Sequence, residues 1–142
     1  MKLWMYVFVG FCLCCNLAAA EEFRSKRDLR RFADTFMEHI VRSDFNAAFE
    51  TAKAAWGVPQ STMDKVAQDL KKQLPKNMKR FGRSLNVEWI RQARIGESFL
   101  RHYYLQRFER DAVAWYIDFY RPDKDWLINR IGTLEDTDVL FE

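Results

Sequence analysis

The chain has 142 residues, and 23 Lys and Arg stand against 20 Asp and Glu for a formal net charge of +3. A balance this close to neutral, with the basic residues scattered, argues against the one-sided cationic stripe of a nucleic-acid binder. Two histidines without HxxxH-type spacing give no support for a metal site, and no glycine-rich phosphate loop is present for a nucleotide.

The first twenty residues read as an export signal. Lys2 supplies the positive start, "LWMYVFVGFCLCCNL" is an apolar run of signal length, and three alanines at 18–20 precede Glu21. The apolar run is shorter than the ~20 residues a spanning helix needs. The expectation is a signal peptide over 1–20, an exported domain over 21–142 in the periplasm or outside the cell, and no membrane span after cleavage. A lipoprotein signal would place a small residue directly before its cysteine; Phe11, Leu13 and Cys14 hold those places. All three cysteines, Cys12, Cys14 and Cys15, leave with the signal. The exported chain would then have no disulfide, no thiolate metal site and no cysteine nucleophile, and must rely on its core.

From residue 23 to 42 the apolar positions Leu29, Phe32, Ala33, Phe36, Met37, Ile40 and Val41 recur at steps of three and four, an amphipathic helix. The "KRDLRR" within it, broken by Asp28 and Leu29, is its solvated face. A second helix is predicted with Ser43 as cap and Phe45, Ala48, Phe49, Ala52 and Trp56 on one face. Gly57 and Pro59 break it. Ser61 with Asp64 resembles a capping box opening a third helix, whose stripe is Met63, Val66, Ala67, Leu70 and Leu74; Pro75 is expected to end or kink it.

Past Leu85 the period changes to two. Val87, Trp89, Ala93 and Ile95 alternate with Glu88, Gln92 and Arg94, and Gly96 interrupts. Runs over 99–109, 112–121 and 126–134, separated by "RD" and "PDKD", complete a four-stranded meander. Helices first and strands afterwards is the α+β pattern, with the helices gathered on one face of the sheet.

Three helices followed by strands carrying "FLRHYYLQRFERDAVAWYIDFYRPDKDWLINRIGTLED" and a late "VLFE" resemble the nuclear transport factor 2-like superfamily, in particular small exported members. Tyr104, Trp115, Phe119 with Tyr120, and the charged turn before Trp126 carry the likeness, which covers nearly all of 21–142. It implies a cone-shaped, cystatin-like arrangement of three helices on a curved antiparallel sheet. Members of the superfamily are ligand-binding domains, isomerase- or dehydratase-like enzymes, or dimerisation modules, so the likeness bears on architecture more than on activity.

With turns centred on 110–111 and 123–124, Tyr104 would face Ile117, His102 would face Phe119, and Phe119 would face Ile128. One face then collects Leu100, His102, Tyr104, Gln106, Phe108, Val113, Trp115, Ile117, Phe119, Ile128 and Arg130, and is assigned to the helices and any pocket. Trp89, His102, Tyr104, Gln106, Trp115, Ile117, Phe119 and Arg130 are its candidate pocket residues. The other face carries Arg101, Tyr103, Tyr116, Asp118 and Tyr120 with Ile131. Aromatics mixed with arginine are the composition of a protein contact surface, and the resemblance implies a homodimer there. A monomer with aromatic cross-strand ladders is the alternative.

His102, aided by Tyr104, is the candidate for proton transfer, since imidazole titrates near pH 6.5; a structural, hydrogen-bonded histidine is the competing role. Asp118 beside Tyr103 falls on the outer face, and no second carboxylate stands among the inner strand positions. His39, near the end of the first helix, suits the helix dipole. The expected function is an exported, non-catalytic module that binds a small apolar ligand or an envelope protein, without cofactor. An isomerase- or dehydratase-like enzyme with His102 as general base is the alternative.

Overall fold

Ser25 starts the first helix in the computed structural model, which describes residues 23–142; the signal peptide expected over 1–20 lies outside the described residues. The Ser25 hydroxyl accepts from the Asp28 N–H at 3.2 Å, and the Asp28 carboxylate accepts from the Ser25 N–H at 2.9 Å. This reciprocal cap stabilises the helix by ~1 kcal/mol. Helix α1, Lys26–Val41, buries Leu29, Phe32, Ala33, Phe36, Met37 and Ile40, the stripe its spacing predicts except for Val41, which is half-buried.

Ser43 does not cap the second helix. Its N–H and that of Asp44 close the end of α1 on the Ile40 and His39 carbonyls, and Ser43 turns the chain at φ 59°. Asp44 is left to open α2, Phe45–Ala52, by accepting from the Ala47 N–H. Helix α3, Gln60–Phe81, also departs from expectation. It begins directly after Pro59, and Asp64 accepts from the Gln60 side chain at 2.8 Å instead of completing a box with Ser61. Pro75 sits inside it without ending it. Pro75 and Lys71 are both exposed, so the carbonyl that loses its helical donor is on the watered side. Met63 and Ala67 are buried, Leu70 and Leu74 half-buried, and Val66 is exposed. At Gly82 the chain leaves α3 at φ 83°, and a Cβ there would lie 2.7 Å from the Glu109 carboxylate.

Four strands follow: β1, Ser84–Ile95; β2, Phe99–Phe108; β3, Ala112–Tyr120; and β4, Leu127–Leu134. They pair antiparallel in the order β1-β2-β3-β4, and a short 3₁₀ turn, Asp138–Phe141, comes after. Helix α1 lies against β1 and β2, α2 against α1, and α3 against α2. Two backbone bonds tie the helical side to the start of β4: Trp126 N–H to the Phe23 carbonyl at 3.1 Å, and Ile128 N–H to the Ala55 carbonyl at 2.9 Å. The molecule is α+β, with three helices on a four-stranded antiparallel sheet. No helix among the described residues is long and apolar enough to cross a membrane.

The strand register corrects the sequence in three places. Tyr104 faces Trp115 and His102 faces Ile117, two residues away from the expected pairing, while Phe119 does face Ile128. A shift of two equals the side-chain period, so the faces of β2 and β3 survive it. A bulge in β4 opposite Asp118 and Phe119 places Arg130 across from Asp118 and Ile131 across from Ile117. Arg130 therefore belongs to the outer face and Ile131 to the inner, the reverse of the strict alternation. A second bulge between Trp89 and Arg91 likewise turns Ala93 and Ile95 outward, beside Arg101 and Phe99.

Candidate functional site

Alternation along β2 and β3 points His102, Tyr104, Ile117 and Phe119 toward the helices, where each is at most 1% exposed. They form the floor of the core and not the wall of an open cavity. The Tyr104 hydroxyl and His102 Nδ1 are satisfied by a short network that runs to α1. Tyr104 donates to Asp34 Oδ1 at 2.7 Å, and Arg30, one turn earlier, binds Asp34 through Nε at 2.8 Å. The Arg30 guanidinium also covers the Trp89 ring at 4.1 Å. Trp89 in turn donates from its indole N–H to His102 Nδ1 at 3.0 Å.

This arrangement sets the chemistry of His102. An indole can only donate, so Nδ1 is the acceptor and the neutral ring carries its proton on Nε2. Nε2 is buried with no partner among the described residues, and the ring stands edge-on to Phe119 at 5.9 Å. Burial, with the Arg30 charge adding to it and Asp34 opposing, lowers the His102 pKa to about 4. Burial and the hydrogen bond given to Asp34 push the Tyr104 hydroxyl far up. His102 and Tyr104 share a face, but their polar atoms engage Trp89 and Asp34 and not each other.

A second polar junction lies toward the other end of the sheet. Gln106, also buried, accepts from the Trp115 indole at 2.9 Å and donates to Ser84 Oγ at 2.8 Å. Above it is a cleft of about 170 Å³ between the end of α1, α3 and the sheet. Ile40, Leu70, Leu74, Met78, Phe108 and Trp115 supply its apolar lining. Of the eight pocket candidates, Gln106 and Trp115 line this cleft. Trp89 sits at the exposed end of the Arg30 network, His102, Tyr104, Ile117 and Phe119 are packed in the core, and Arg130 is on the opposite face. A broader, polar hollow of about 400 Å³ separates α2 from α3, with Glu50, Asp64 and Lys71 at its rim. Among the described residues no three His, Cys, Asp or Glu gather as a metal site.

The outer face holds the five interface candidates in unequal exposure. Asp118, 1% exposed, accepts two bonds from Arg101 at 2.6 and 2.8 Å. Its partner is thus the cross-strand arginine and not Tyr103. Arg101 also lies over Tyr116 at 4.5 Å, and Arg91 over Tyr103 at 4.3 Å, so cations and rings alternate across three strands. Tyr116 can lie flat across β4 because Gly132 has no side chain; a Cβ there would meet its hydroxyl at 2.8 Å. Tyr103 is buried, and Tyr120 is exposed.

Sequence reasoning missed Arg30 and Asp34, which read as ordinary polar-face residues of α1. Their four-residue spacing on the flank of the apolar stripe is the signal they leave. Ser84 and Arg91 had no such signal, because their partners are set by bulges and turns. No family model, curated protein or solved structure matches the chain.

Proposed function

We propose that the chain is an exported, non-catalytic binding module of the nuclear transport factor 2-like kind, paired as a homodimer through the outer face of its sheet. Its ligand is a small, mostly apolar molecule held in the cleft above Gln106 and Trp115. The single observation that carries this is the division of the inner face: the half around His102 is solid, and the half around Trp115 is open. A cleft of about 170 Å³ is close to the roughly 150 Å³ cavity that holds benzene in an engineered protein. The ligand class is therefore a single ring or a short alkyl chain, with the Ser84 hydroxyl and the Asn77 amide as polar neighbours.

The catalytic alternative asks more of His102 than its surroundings favour. A general base needs a free lone pair within reach of substrate and a pKa near the working pH. Here the lone pair accepts from Trp89, and burial holds the pKa near 4. Export is supported by the leading twenty residues alone; a secreted product whose mass begins at Glu21 is the check. For the ligand, the probe is benzene or hexanol titrated against the protein by NMR. Shifts at the Trp115 indole N–H and the Gln106 amide are expected, and Leu74→Trp, which fills the cleft, abolishes them. Shifts centred on Trp89 and His102 instead would favour the enzyme, and none anywhere would end the ligand reading.

A further inference from the structure

The outer face is organised in transverse rows. Ile95, Phe99, Tyr120 and Leu127 form one row across all four strands at one end of the sheet. Ile95 is 76% exposed, and Phe99 packs on Tyr120 with ring centres 6.2 Å apart. Next come Ala93, Arg101, Asp118 and Arg130, and then Arg91, Tyr103, Tyr116 and Gly132. A groove of about 190 Å³ runs along β1 and β2 in this region, with Ile95 and Phe99 as its apolar part and Arg94 and Arg101 as its cations.

The chain's own C-terminal segment reaches the third row and stops short of filling the groove. Arg91 Nη2 donates to the Val139 carbonyl at 2.9 Å while its guanidinium covers Tyr103, which is 5% exposed. Two residues later Phe141 projects into solvent, 87% exposed. The segment is acidic, with Glu135, Asp136, Asp138 and Glu142, whereas the face it touches carries Arg91, Arg101 and Arg130, and Arg94 of β1 also lines the groove. An uncovered phenyl ring beside a carboxylate, and an uncovered apolar groove beside two guanidiniums, are complementary in apolar character and in charge. Arg101 is already held by Asp118 and Arg91 by the Val139 carbonyl, while Arg94 has only a long, solvent-exposed contact with Glu97 at 3.8 Å, which a second carboxylate can displace.

We infer that Phe141 and Glu142 of one copy occupy the groove of a second copy, and that the exchange is reciprocal. The inference rests on the outer-face pairing proposed above and names the contact that closes it. The Phe141 ring lies against Ile95 and Phe99, and the Glu142 carboxylate meets Arg94. Because the same patch gives and receives, the pair closes as a twofold dimer without leaving a free groove. Aromatic anchors in a desolvated pocket are where binding energy concentrates.

Light scattering of the purified protein separates the inference from the reading beneath it. A dimer is expected, and Phe141→Asp raises its dissociation constant by about 30-fold or more, as loss of a hot-spot anchor does. Ile95→Asp, on the receiving side, acts alike. Both positions are exposed, so circular dichroism should show an unchanged fold. An excess of the peptide TLEDTDVLFE dissociates the dimer, and the same peptide with aspartate in place of phenylalanine does not. If the wild type is a dimer that Phe141→Asp leaves intact, the exchange is overturned and the sheet pairing stands. If the wild type is monomeric, both are overturned, even where the peptide still binds the groove.

Discussion

His102 shows how burial sets the state of one side chain. Unfolded, it titrates near 6.5; folded, near 4. Between those values the unfolded chain binds the extra proton, so stability falls as pH drops from about 6.5 to about 4 and then levels with respect to this group. The loss is on the order of 3 kcal/mol by linkage. Urea denaturation at pH 7 and at pH 4 should show it, and His102→Gln, which keeps an acceptor for Trp89, should lose most of the difference. Asp28 and Glu109, whose carboxyls are held below the usual range by bonds to Ser25 and to Arg83, add their own loss at lower pH. Those groups are common to both chains, so the comparison isolates the imidazole. Equal losses in the two chains would mean that His102 is already charged or hydrated in the fold.

Helix α3 carries a local defect that its surroundings tolerate. Pro75 removes one backbone donor in the middle of a 22-residue helix whose buried contacts are confined to one narrow stripe. An interior proline costs ~3 kcal/mol relative to alanine in a helix, offset in part because it also stiffens the unfolded chain. Pro75→Ala should therefore raise stability by ~1–3 kcal/mol, read as a higher urea midpoint at unchanged slope. A destabilised variant would show that the helix needs the distortion to bring Met78 and Phe81 onto Arg110 and Phe108. Both contacts exist: Arg110 donates to the Met78 carbonyl at 3.3 Å, and the Phe81 and Phe108 rings are 5.5 Å apart. At the same scale, the bulges of β1 and β4 do what a uniform strand cannot. Each moves later side chains to the opposite face, and together they place Ala93, Ile95 and Arg130 on the outer surface, where the groove and its row of arginines are built.

Over the whole molecule, one continuous core joins α1, α2 and the start of α3 to the inner face of the sheet. It includes Phe23, Phe32, Phe36, Phe49 and Phe119, whose rings meet at 5.1–6.0 Å. That aromatic core stands in place of covalent cross-links, since every cysteine lies in the leading segment at positions 12, 14 and 15. Thermal unfolding of a chain beginning at Glu21 should accordingly give the same midpoint with and without reductant, and so should the natural product if the proposed cleavage occurs. A midpoint lowered by reductant would mean that the leader is retained and its cysteines are paired.

Much of this architecture was legible in the residues alone, because it depends on period. Apolar steps of three and four marked α1, and alternation past Leu85 marked the sheet; both follow from where successive Cβ atoms point. Ser25 and Asp44 as caps, the run of α3 through Pro75, and the two-residue offset of β2 on β3 were decided by the closing of turns against neighbouring chain. The bulges are of the same kind. Nothing in "IRQARI" or "LINRIG" says that one residue will be squeezed out of the ladder, so Arg130 and Ile131 could be placed only once β3 lay beside β4. His102 is the sharpest case. Its identity and its inward direction belong to the sequence, but its neutral state and the loss of its lone pair to Trp89 exist only when β1, β2 and α1 enclose it. Local periodicity decides which side of an element is apolar; the long-range contacts of the folded chain decide what each polar atom meets there, and so what chemistry remains to it.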